Sequence, residues 1–356
     1  MCILLKDGWS HFSLRSLPVL FIGIFGFCLW GGISSFWSLD PRGTLLLFGR
    51  LILLTWGGLV FYRSLTTMSD DDIRKLLKFF LLGILIACAL IIINHFLDSP
   101  RTLLKGKTNA QAFVTLGLTL VLSSFVVLKN PRLFIFIFFL SYTLTFVDCD
   151  TALLALWTGW GSGLLFYLWP KGIKHLMIVF TTIGILTTPF VIKAYVNEPL
   201  IEKVNNKIKI HSYIHRLYVM QATASHITNK WLLGHGLDSS RHAAFSEKKE
   251  WTMYGNHGPY TVKSAEIPTH PHNAPLQWWL ELGMVGAFIA AFINFLILKS
   301  IPPSKDPYSL MAFGLYTATQ TIAWINLGFW QNWWLAILLI LGSLSARLIN
   351  SGSEKC

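Results

Sequence analysis

Long apolar runs separated by short polar segments dominate the chain. Runs of about 20 apolar residues, the length that an α-helix needs to cross a bilayer, recur near residues 17–38, 43–62, 76–97, 110–128, 132–148, 151–169, 174–196, 276–298, 308–328 and 331–349. One long polar segment at 197–275 interrupts them. The pattern predicts an all-α polytopic membrane protein, a single transmembrane domain over 1–356 with about ten transmembrane helices and one long, partly helical loop.

Composition agrees with this class. Hydrophobic residues make up 53% of the 356 residues and charged residues only 13%, whereas soluble domains carry about 25% charged residues. The five cysteines are scattered without a CxxC pair, so neither a disulfide framework nor a metal cluster is expected. The first apolar run is long enough to span the bilayer and lacks a small-residue cleavage site, so no cleavable signal peptide is predicted.

The distribution of positive charge predicts the orientation. Outside the long loop, 14 lysines and arginines lie on the side of the N terminus and 4 on the opposite side. Positively charged loops stay in the cytoplasm, so both termini are expected there and the loop at 197–275 is expected on the outer face. Topology therefore explains most of the formal charge of +12, and no nucleic-acid partner is predicted. Arg50 lies inside a predicted span.

The long loop carries eight of the eleven histidines. A helix is predicted from Ser212, with apolar residues at helical spacing at Leu217, Met220, Ala224, Ile227 and Trp231. It is expected to end at the glycine-rich turn 233–236 and to lie on the membrane or cap the bundle. A zinc site is the alternative explanation of the histidines, but their spacing is irregular, so no metal and no cofactor are expected.

The end of the loop places His270 and His272 just before a hydrophobic span. Asn273 and Pro275 are typical of a helix start, as N-cap and first-turn proline. That structural role does not exclude a chemical one, because imidazole titrates near neutral pH. Glu281, about two turns into the span, would cost about 2–3 kcal/mol if buried; the alternative is a hydrated glutamate at the interface.

Four stretches resemble the O-antigen ligase and polymerase family of bacterial envelope glycosyltransferases. They are SFWSLDP at 35–41, SYIHRL at 212–217 with WLLGHG at 231–236, DSSR at 238–241, and His-Asn at 272–273 followed after nine residues by Gly-Met-Val-Gly at 283–286. The last stretch is the most specific. Two departures stand out: relatives often continue with two threonines where this chain has Ala287 and Phe288, and the stretch at 148–151 lacks an arginine that many members have.

The resemblance implies a GT-C-like fold in the bacterial inner membrane with the long loop in the periplasm. It also implies transfer of a glycan from undecaprenyl pyrophosphate to an acceptor sugar hydroxyl of lipid A-core, with membrane lipid around the site and no metal or other cofactor. His272 is expected to be the catalytic base. The residues expected to bind substrate are Arg216, Arg241, Asn273, His270 and Glu281.

Several alternatives remain open at this stage. Arg216 and Arg241 could be interfacial anchors rather than pyrophosphate ligands. An O-antigen polymerase would share the chemistry, as would an oligosaccharyltransferase that loads protein. A lipid or solute transporter, with Arg50 and Glu281 along a path, is the alternative from another class; the sequence shows no internal repeat of spans that would favour it. Family members usually have more spans, so one or two are expected to be missing at the N-terminal side.

Overall fold

The structure is a computed structural model, and it describes residues 19–96, 135–145, 150–208, 210–255, 258–326 and 328–353. The helices are α1 (Val19–Ile33), α2 (Pro41–Thr67), α3 (Asp70–Phe96), α4 (Ile135–Thr145), α5 (Asp150–Leu168), α6 (Pro170–Tyr195), α7 (Glu198–Ile208), α8 (His211–Asn229), α9 (Ala274–Ser300), α10 (Pro307–Ile325) and α11 (Asn332–Ser353), and the strands are β1 (Lys248–Gly255) and β2 (Gly258–Ala265).

The predicted all-α membrane fold is confirmed. Seven of the described helices are long and apolar enough to cross a membrane: α1, α2, α3, α5, α6, α9 and α11. α4 and α10 coincide with two further predicted spans, but α4 is described over only 11 residues and α10 is less apolar than the seven. The predicted span at 110–128 lies outside the described residues, as do residues 148 and 149 of the stretch that departs from the family pattern.

Three helices begin with the same local arrangement. A side-chain oxygen of Asp40, Asn273 or Asp306 accepts a hydrogen bond from a backbone N–H in the first turn of α2, α9 or α10, and a proline follows within two residues. A first-turn N–H has no partner within the helix, so proline loses nothing there. The predicted N-cap at Asn273 is thus confirmed.

Helix α9 is the centre of the bundle. It packs against α1, α6, α8 and α10. In its apolar window 56% of the residues are buried by protein, compared with 17–39% in the other six candidate spans. A helix covered by protein on most sides is held in a fixed position, and α9 begins directly after His272 and Asn273.

Polar side chains of α10 explain its lower apolar character. Tyr316 Oη and Gln320 Nε2 both donate to Asn294 Oδ1 of α9, over 3.0 and 2.7 Å. Thr321 and Thr158 of α5 pair through their hydroxyls at 2.9 Å. These groups satisfy one another between packed helices, which is how polar residues are accommodated in a membrane.

The predicted long loop folds over one end of the bundle. α7 and α8 pack on each other, and α8 also packs against α6 and α9. Of the two positions expected for α8, on the membrane or capping the bundle, the structure shows the second. β1 and β2 form an antiparallel hairpin from the pair Lys248–Ala265 to the pair Gly255–Gly258. The sequence analysis predicted no strand here. The alternation was present, because Trp251 and Met253 are buried while Glu250 and Thr252 are exposed.

Hydrogen bonds show which helix ends meet the loop. Leu39, in the α1–α2 turn, donates its N–H to the carbonyl of His235 over 3.1 Å, and Tyr213 of α8 donates its hydroxyl to Asp150 at the start of α5 over 2.9 Å. At the other end of the bundle, Arg347 Nη2 donates to Asp70 Oδ1 over 3.1 Å. The α1–α2 turn and the start of α5 thus lie at the end of the bundle that meets the loop, and Asp70 and Arg347 lie at the opposite end, as the predicted topology requires. Which of the two ends faces outward stays a prediction.

Candidate active site

The turn after α8 lies against a break in α9. Gly283 has φ 65° and ψ −163° inside the helix, and the backbone on either side of it pairs with the turn. His235 N donates to Leu280 O over 2.9 Å, Gly236 N to Glu281 O over 2.8 Å, and Met284 N to Trp231 O over 2.8 Å. The turn therefore supplies hydrogen-bond partners to backbone groups of α9 next to the break at Gly283.

Glycine is required at this contact. Gly283 and Gly234 both have positive φ, and a Cβ on either would collide with backbone atoms of the facing segment. Only glycine combines that conformation with such a close approach at low cost. The first glycine of the Gly-x-x-Gly pattern thus joins the central helix to the turn that carries Arg241.

His272 is held in an uncommon backbone conformation. Its φ is 56°, and Asp238 is the only other non-glycine residue in the described ranges with a positive φ. Such a conformation costs about 1–3 kcal/mol and is concentrated at functional sites. Its ring Nδ1 lies 3.1 Å from the backbone oxygen of Asn326. A carbonyl can only accept, so Nδ1 carries the hydrogen and Nε2 keeps a free lone pair.

Asn326 also holds Arg216. The guanidinium Nη2 of Arg216 donates to Asn326 Oδ1 over 2.8 Å. Asn326 is the C-terminal cap residue of α10, so one residue at the α10–α11 turn contacts the predicted base through its backbone and the predicted cation through its side chain. The two side chains, 56 positions apart in the sequence, meet there.

Arg216 and His272 line one cavity of about 240 Å³, here named the arginine pocket. Its lining residues come from α8, β2 and the segment before α9: His211, Ser212, His215, Arg216, Val262, Ser264 and His272. Within the described part of the chain, this lining contains no carboxylate. An arginine with three imidazoles and no acidic group is suited to an anionic ligand.

His270 packs beside His272. Their ring centroids are 4.3 Å apart with the planes at 74°, and the ring of His270 fits where Gly328 has no side chain. Burial lowers the pKa of His270 to about 3, and the charges of His272, Arg241 and Arg216 act in the same direction. Burial also lowers the pKa of His272 to about 4, although the contact with Asn326 opposes the shift. Both imidazoles are therefore neutral near pH 7.

Arg241 lies outside the arginine pocket. It ends the short 3-10 helix Ser239–Arg241, its Nε is 3.1 Å from Asp238 Oδ1, and its side chain is 54% exposed. Its charge nevertheless contributes to the low pKa of His270. The structure thus brings Arg216 and His272 to one pocket and leaves Arg241 on the surface beside it.

Asn273 and Glu281 have structural partners. Asn273 Nδ2 donates to Trp324 O over 2.9 Å while its Oδ1 accepts from Leu276 N. Glu281 is fully buried, and its carboxylate accepts from the N–H of Asp238 over 2.7 Å and from Trp330 Nε1 over 2.5 Å. The alternative of a hydrated interfacial glutamate is wrong. The polar atoms of both side chains are engaged within the protein, and direct substrate contact, predicted for both, stays a prediction.

The described histidines of the loop show no metal-binding arrangement. In the part of the chain that the structure describes, no three His, Cys, Asp or Glu side chains are close enough together to hold a metal ion. His226 Nε2 is 3.2 Å from Glu266, which also accepts from Lys249. Whether the reaction needs a metal stays a prediction.

Sequence reasoning missed Asn326, Gln277 and Trp330. Gln277 Nε2 donates to Glu281 Oε1 over 2.9 Å, and its Oε1 accepts from Phe329 N over 2.8 Å. Through the hydrogen bond from Phe329 N, Gln277 joins the start of α9 to the α10–α11 turn. The available signal for Asn326 was a polar residue near the end of the predicted span 308–328.

Comparison with known proteins agrees with these features. Residues 133–291 match the family model described as O-Antigen ligase. A protein of Rickettsia conorii named "Putative polysaccharide ligase" is 25% identical over 346 residues, which is 93% of this chain and 79% of that protein. One of Rickettsia typhi with the same name is 26% identical over 87% of this chain and 76% of its own length.

The matched segment contains the arginine-bearing helix α8, the glycine turn, His272 and both glycines of the Gly-x-x-Gly pattern. Asn326 lies beyond it. The resemblance predicted from the sequence is therefore confirmed: residues 133–291 are similar to the O-antigen ligase family, and most of the chain is similar to proteins named as polysaccharide ligases.

Proposed function

We propose that the protein transfers a glycan from undecaprenyl pyrophosphate to a sugar hydroxyl of lipid A-core, at the periplasmic face of the bacterial inner membrane and with both termini in the cytoplasm. The observation that carries this proposal is the convergence of a neutral imidazole and a guanidinium on one pocket. His272 and Arg216 both contact Asn326 and line the same cavity. Similarity to the O-antigen ligase family and to a polysaccharide ligase supports a glycan-transferring enzyme.

In the proposed step the oxygen of the acceptor hydroxyl attacks the anomeric carbon of the donor sugar. A carbon–oxygen bond to the acceptor forms, and the bond from the anomeric carbon to the phosphate oxygen breaks. The acceptor proton passes to Nε2 of His272, and undecaprenyl pyrophosphate leaves with the bonding electrons. The contact between Nδ1 and the Asn326 carbonyl selects the tautomer that leaves Nε2 able to accept a proton.

Arg216 is the proposed ligand of the pyrophosphate. A guanidinium offers several donors in a plane and stays charged at all physiological pH values, so it can bind the anion before and after bond cleavage. Arg241 is the proposed second ligand. Its side chain is 54% exposed, and an approaching pyrophosphate would compete with Asp238 for it. The two arginines supply the charge that a metal would otherwise provide, and the proposed mechanism is metal-independent.

The remaining predicted site residues have supporting roles in this proposal. Asn273 fixes the start of α9 and hence the backbone next to His272. Glu281 accepts from Asp238 N and so holds the turn that ends in Arg241. His270 packs edge-on against His272 and limits the orientations of its ring.

Reconstituted transfer tests the proposal and its closest rival. The purified full chain in lipid nanodiscs would receive an undecaprenyl-pyrophosphate-linked glycan and either lipid A-core or a second lipid-linked repeat unit. A ligase attaches glycan to lipid A-core and leaves the lipid-linked unit unextended. A polymerase produces the opposite result. Absence of product with both acceptors, in protein that binds the donor, would overturn the assignment and leave a lipid or solute transporter to be tested.

A further inference from the structure

A second cavity, of about 370 Å³, lies on the other flank of α8. We name it the glutamate pocket. One wall is formed by α8, which contributes Tyr218, Gln221, Ala222 and Ser225, and β1 and the start of α7 form the opposite side. None of the residues that line the arginine pocket also lines this one.

Its base is aromatic and rigid. The rings of Tyr218 and Trp251 stack at a centroid distance of 5.2 Å with 3° between their planes, and the Tyr218 hydroxyl is 3.4 Å from Thr252 O. Trp251 is 7% exposed and also contacts His215 edge-on at 5.2 Å. One tryptophan therefore separates the two pockets and touches a side chain of each.

One carboxylate in the pocket is fixed in place. Glu266 is 7% exposed and accepts from Lys249 Nζ at 2.5 Å and from His226 Nε2 at 3.2 Å. These hydrogen bonds lower the pKa of Glu266 although burial opposes the shift. Each carboxylate oxygen can accept more than one hydrogen bond, so an ordered acceptor remains available to a ligand.

The lining selects a chemical class. The lining contains the carboxylates of Glu198, Glu250 and Glu266 and one ammonium group, that of Lys249; outside the lining, Lys263 Nζ lies 3.5 Å from Glu250 Oε1. Three carboxylates repel pyrophosphate and other anions, and so many polar groups do not suit an acyl chain. A neutral saccharide fits both properties. Its hydroxyls can donate to the carboxylates and accept from Lys249 and the amide of Gln221, and its C–H faces can pack on the aromatic base.

The position of the pocket suits a glycan that reacts nearby. Gln221 follows Arg216 by five residues on α8, which corresponds to about 7.5 Å along the helix axis. A saccharide in the glutamate pocket would therefore lie within a short oligosaccharide's length of His272 and Arg216. The contact between His215, of the arginine pocket, and Trp251, of the glutamate pocket, would lie between them.

We propose that the glutamate pocket binds a neutral saccharide unit of one of the two glycan substrates and thereby positions the reacting sugar beside His272. This rests on the proposed glycan transfer. The donor glycan and the core oligosaccharide of the acceptor present the same hydroxyl-rich chemistry, and the experiment below separates them.

Ala222→Trp tests the proposal by filling the cavity from its wall. Thr228→Trp is the matched control, because Thr228 is exposed on the same helix and is not among the residues that line either pocket. In steady-state transfer assays we expect Ala222→Trp to raise KM for one glycan substrate by about tenfold or more, with kcat nearly unchanged. A raised KM for lipid A-core assigns the pocket to the acceptor, and a raised KM for the lipid-linked glycan assigns it to the donor.

A binding measurement keeps this test separate from the proposed function. Saturation-transfer NMR would be run on the full chain carrying His272→Ala, with two soluble probes: core oligosaccharide and repeat-unit oligosaccharide, each released from its lipid by mild acid. A signal from either probe that Ala222→Trp removes and Thr228→Trp keeps supports the pocket, even if the protein proves inactive in transfer. No signal from both probes, or equal signals in the two tryptophan variants, would overturn it.

Discussion

The two pockets on either flank of α8 differ in the sign of their charge. The arginine pocket combines Arg216 with three histidines, whereas the glutamate pocket combines three carboxylates with one lysine. One amphipathic helix, packed on α6 and α9 and covered by a hairpin, thus provides two chemically distinct surfaces. A lipid-linked glycan has such a division itself, with a charged pyrophosphate next to hydroxyl-rich sugars.

Charge reversal at Arg216 would remove the difference in charge between the two pockets and is expected to have the largest effect. Arg216→Glu gives the arginine pocket the sign of its neighbour, and we expect kcat/KM for the lipid-linked donor to fall by at least about 100-fold, because a charge-assisted hydrogen bond is replaced by repulsion. Initial rates in nanodiscs measure the effect. Lys230→Glu, the same reversal at the exposed end of α8, is the control. A loss below about threefold at Arg216 would remove it from donor binding.

The pH dependence of transfer shows whether His272 acts as a neutral or as a charged imidazole. The base must be unprotonated, and its folded pKa is lowered from 6.5 to about 4, so activity is full above that pKa and is lost as pH falls through it. We expect kcat/KM to stay level from neutral pH down to about the pKa of His272, near 4, and to fall about tenfold per pH unit below it. Recovery on return to neutral pH excludes unfolding. An acid limb centred at 6.5 or above would contradict the buried, neutral base.

Asn326→Ala separates the two groups that Asn326 holds. Arg216 loses its amide partner, while His272 keeps the backbone carbonyl. A hydrogen bond is worth about 1 kcal/mol, so we expect KM for the donor to rise about fivefold while the pH profile stays unchanged. Asn229→Ala, at the exposed end of α8, is the control. An altered pH profile with an unchanged KM would show that Asn326 acts on His272 instead.

Asp150→Asn addresses the place where the sequence departs from the family pattern. Asp150 accepts from Tyr213 on α8, and Tyr213 is close enough to Arg216 to feel its charge. Removing the negative charge while keeping an acceptor should lower KM for the donor by about two- to threefold, the size of an exposed charge interaction. Tyr213→Phe, which removes the hydrogen bond but keeps the carboxylate, should not improve binding. Equal effects of Asp150→Asn and Tyr213→Phe on KM for the donor would indicate that packing of the loop, and not the charge of Asp150, is the cause.

The sequence predicted those features that depend on local pattern. The spans, the helix of residues 211–229, the N-cap at Asn273 and the glycine turn each follow from periodicity or from the requirements of one or two residues. The hairpin β1–β2 was missed because its alternation is short and lies in a charged segment, which reads as loop without knowledge of the partner strand.

Contacts between distant segments could not be read from the sequence. Asn326 acquires its role because the α10–α11 turn lies against α8 and the segment before α9. Glu281 accepts hydrogen bonds from residues 238, 277 and 330, and none of these partners could be named from the sequence. Whether a polar side chain faces a ligand or the protein interior is decided by packing, and no periodicity encodes it.

In the proposed mechanism His272 performs the proton transfer while Arg216 binds the donor, and one variant allows both events to be measured. His272→Ala in nanodiscs is predicted to bind the undecaprenyl-pyrophosphate-linked glycan with the Kd of the unaltered protein and to transfer it to lipid A-core at least about 100-fold more slowly. Transfer at an unchanged rate would contradict the account, as would a loss of donor binding equal to the loss of transfer.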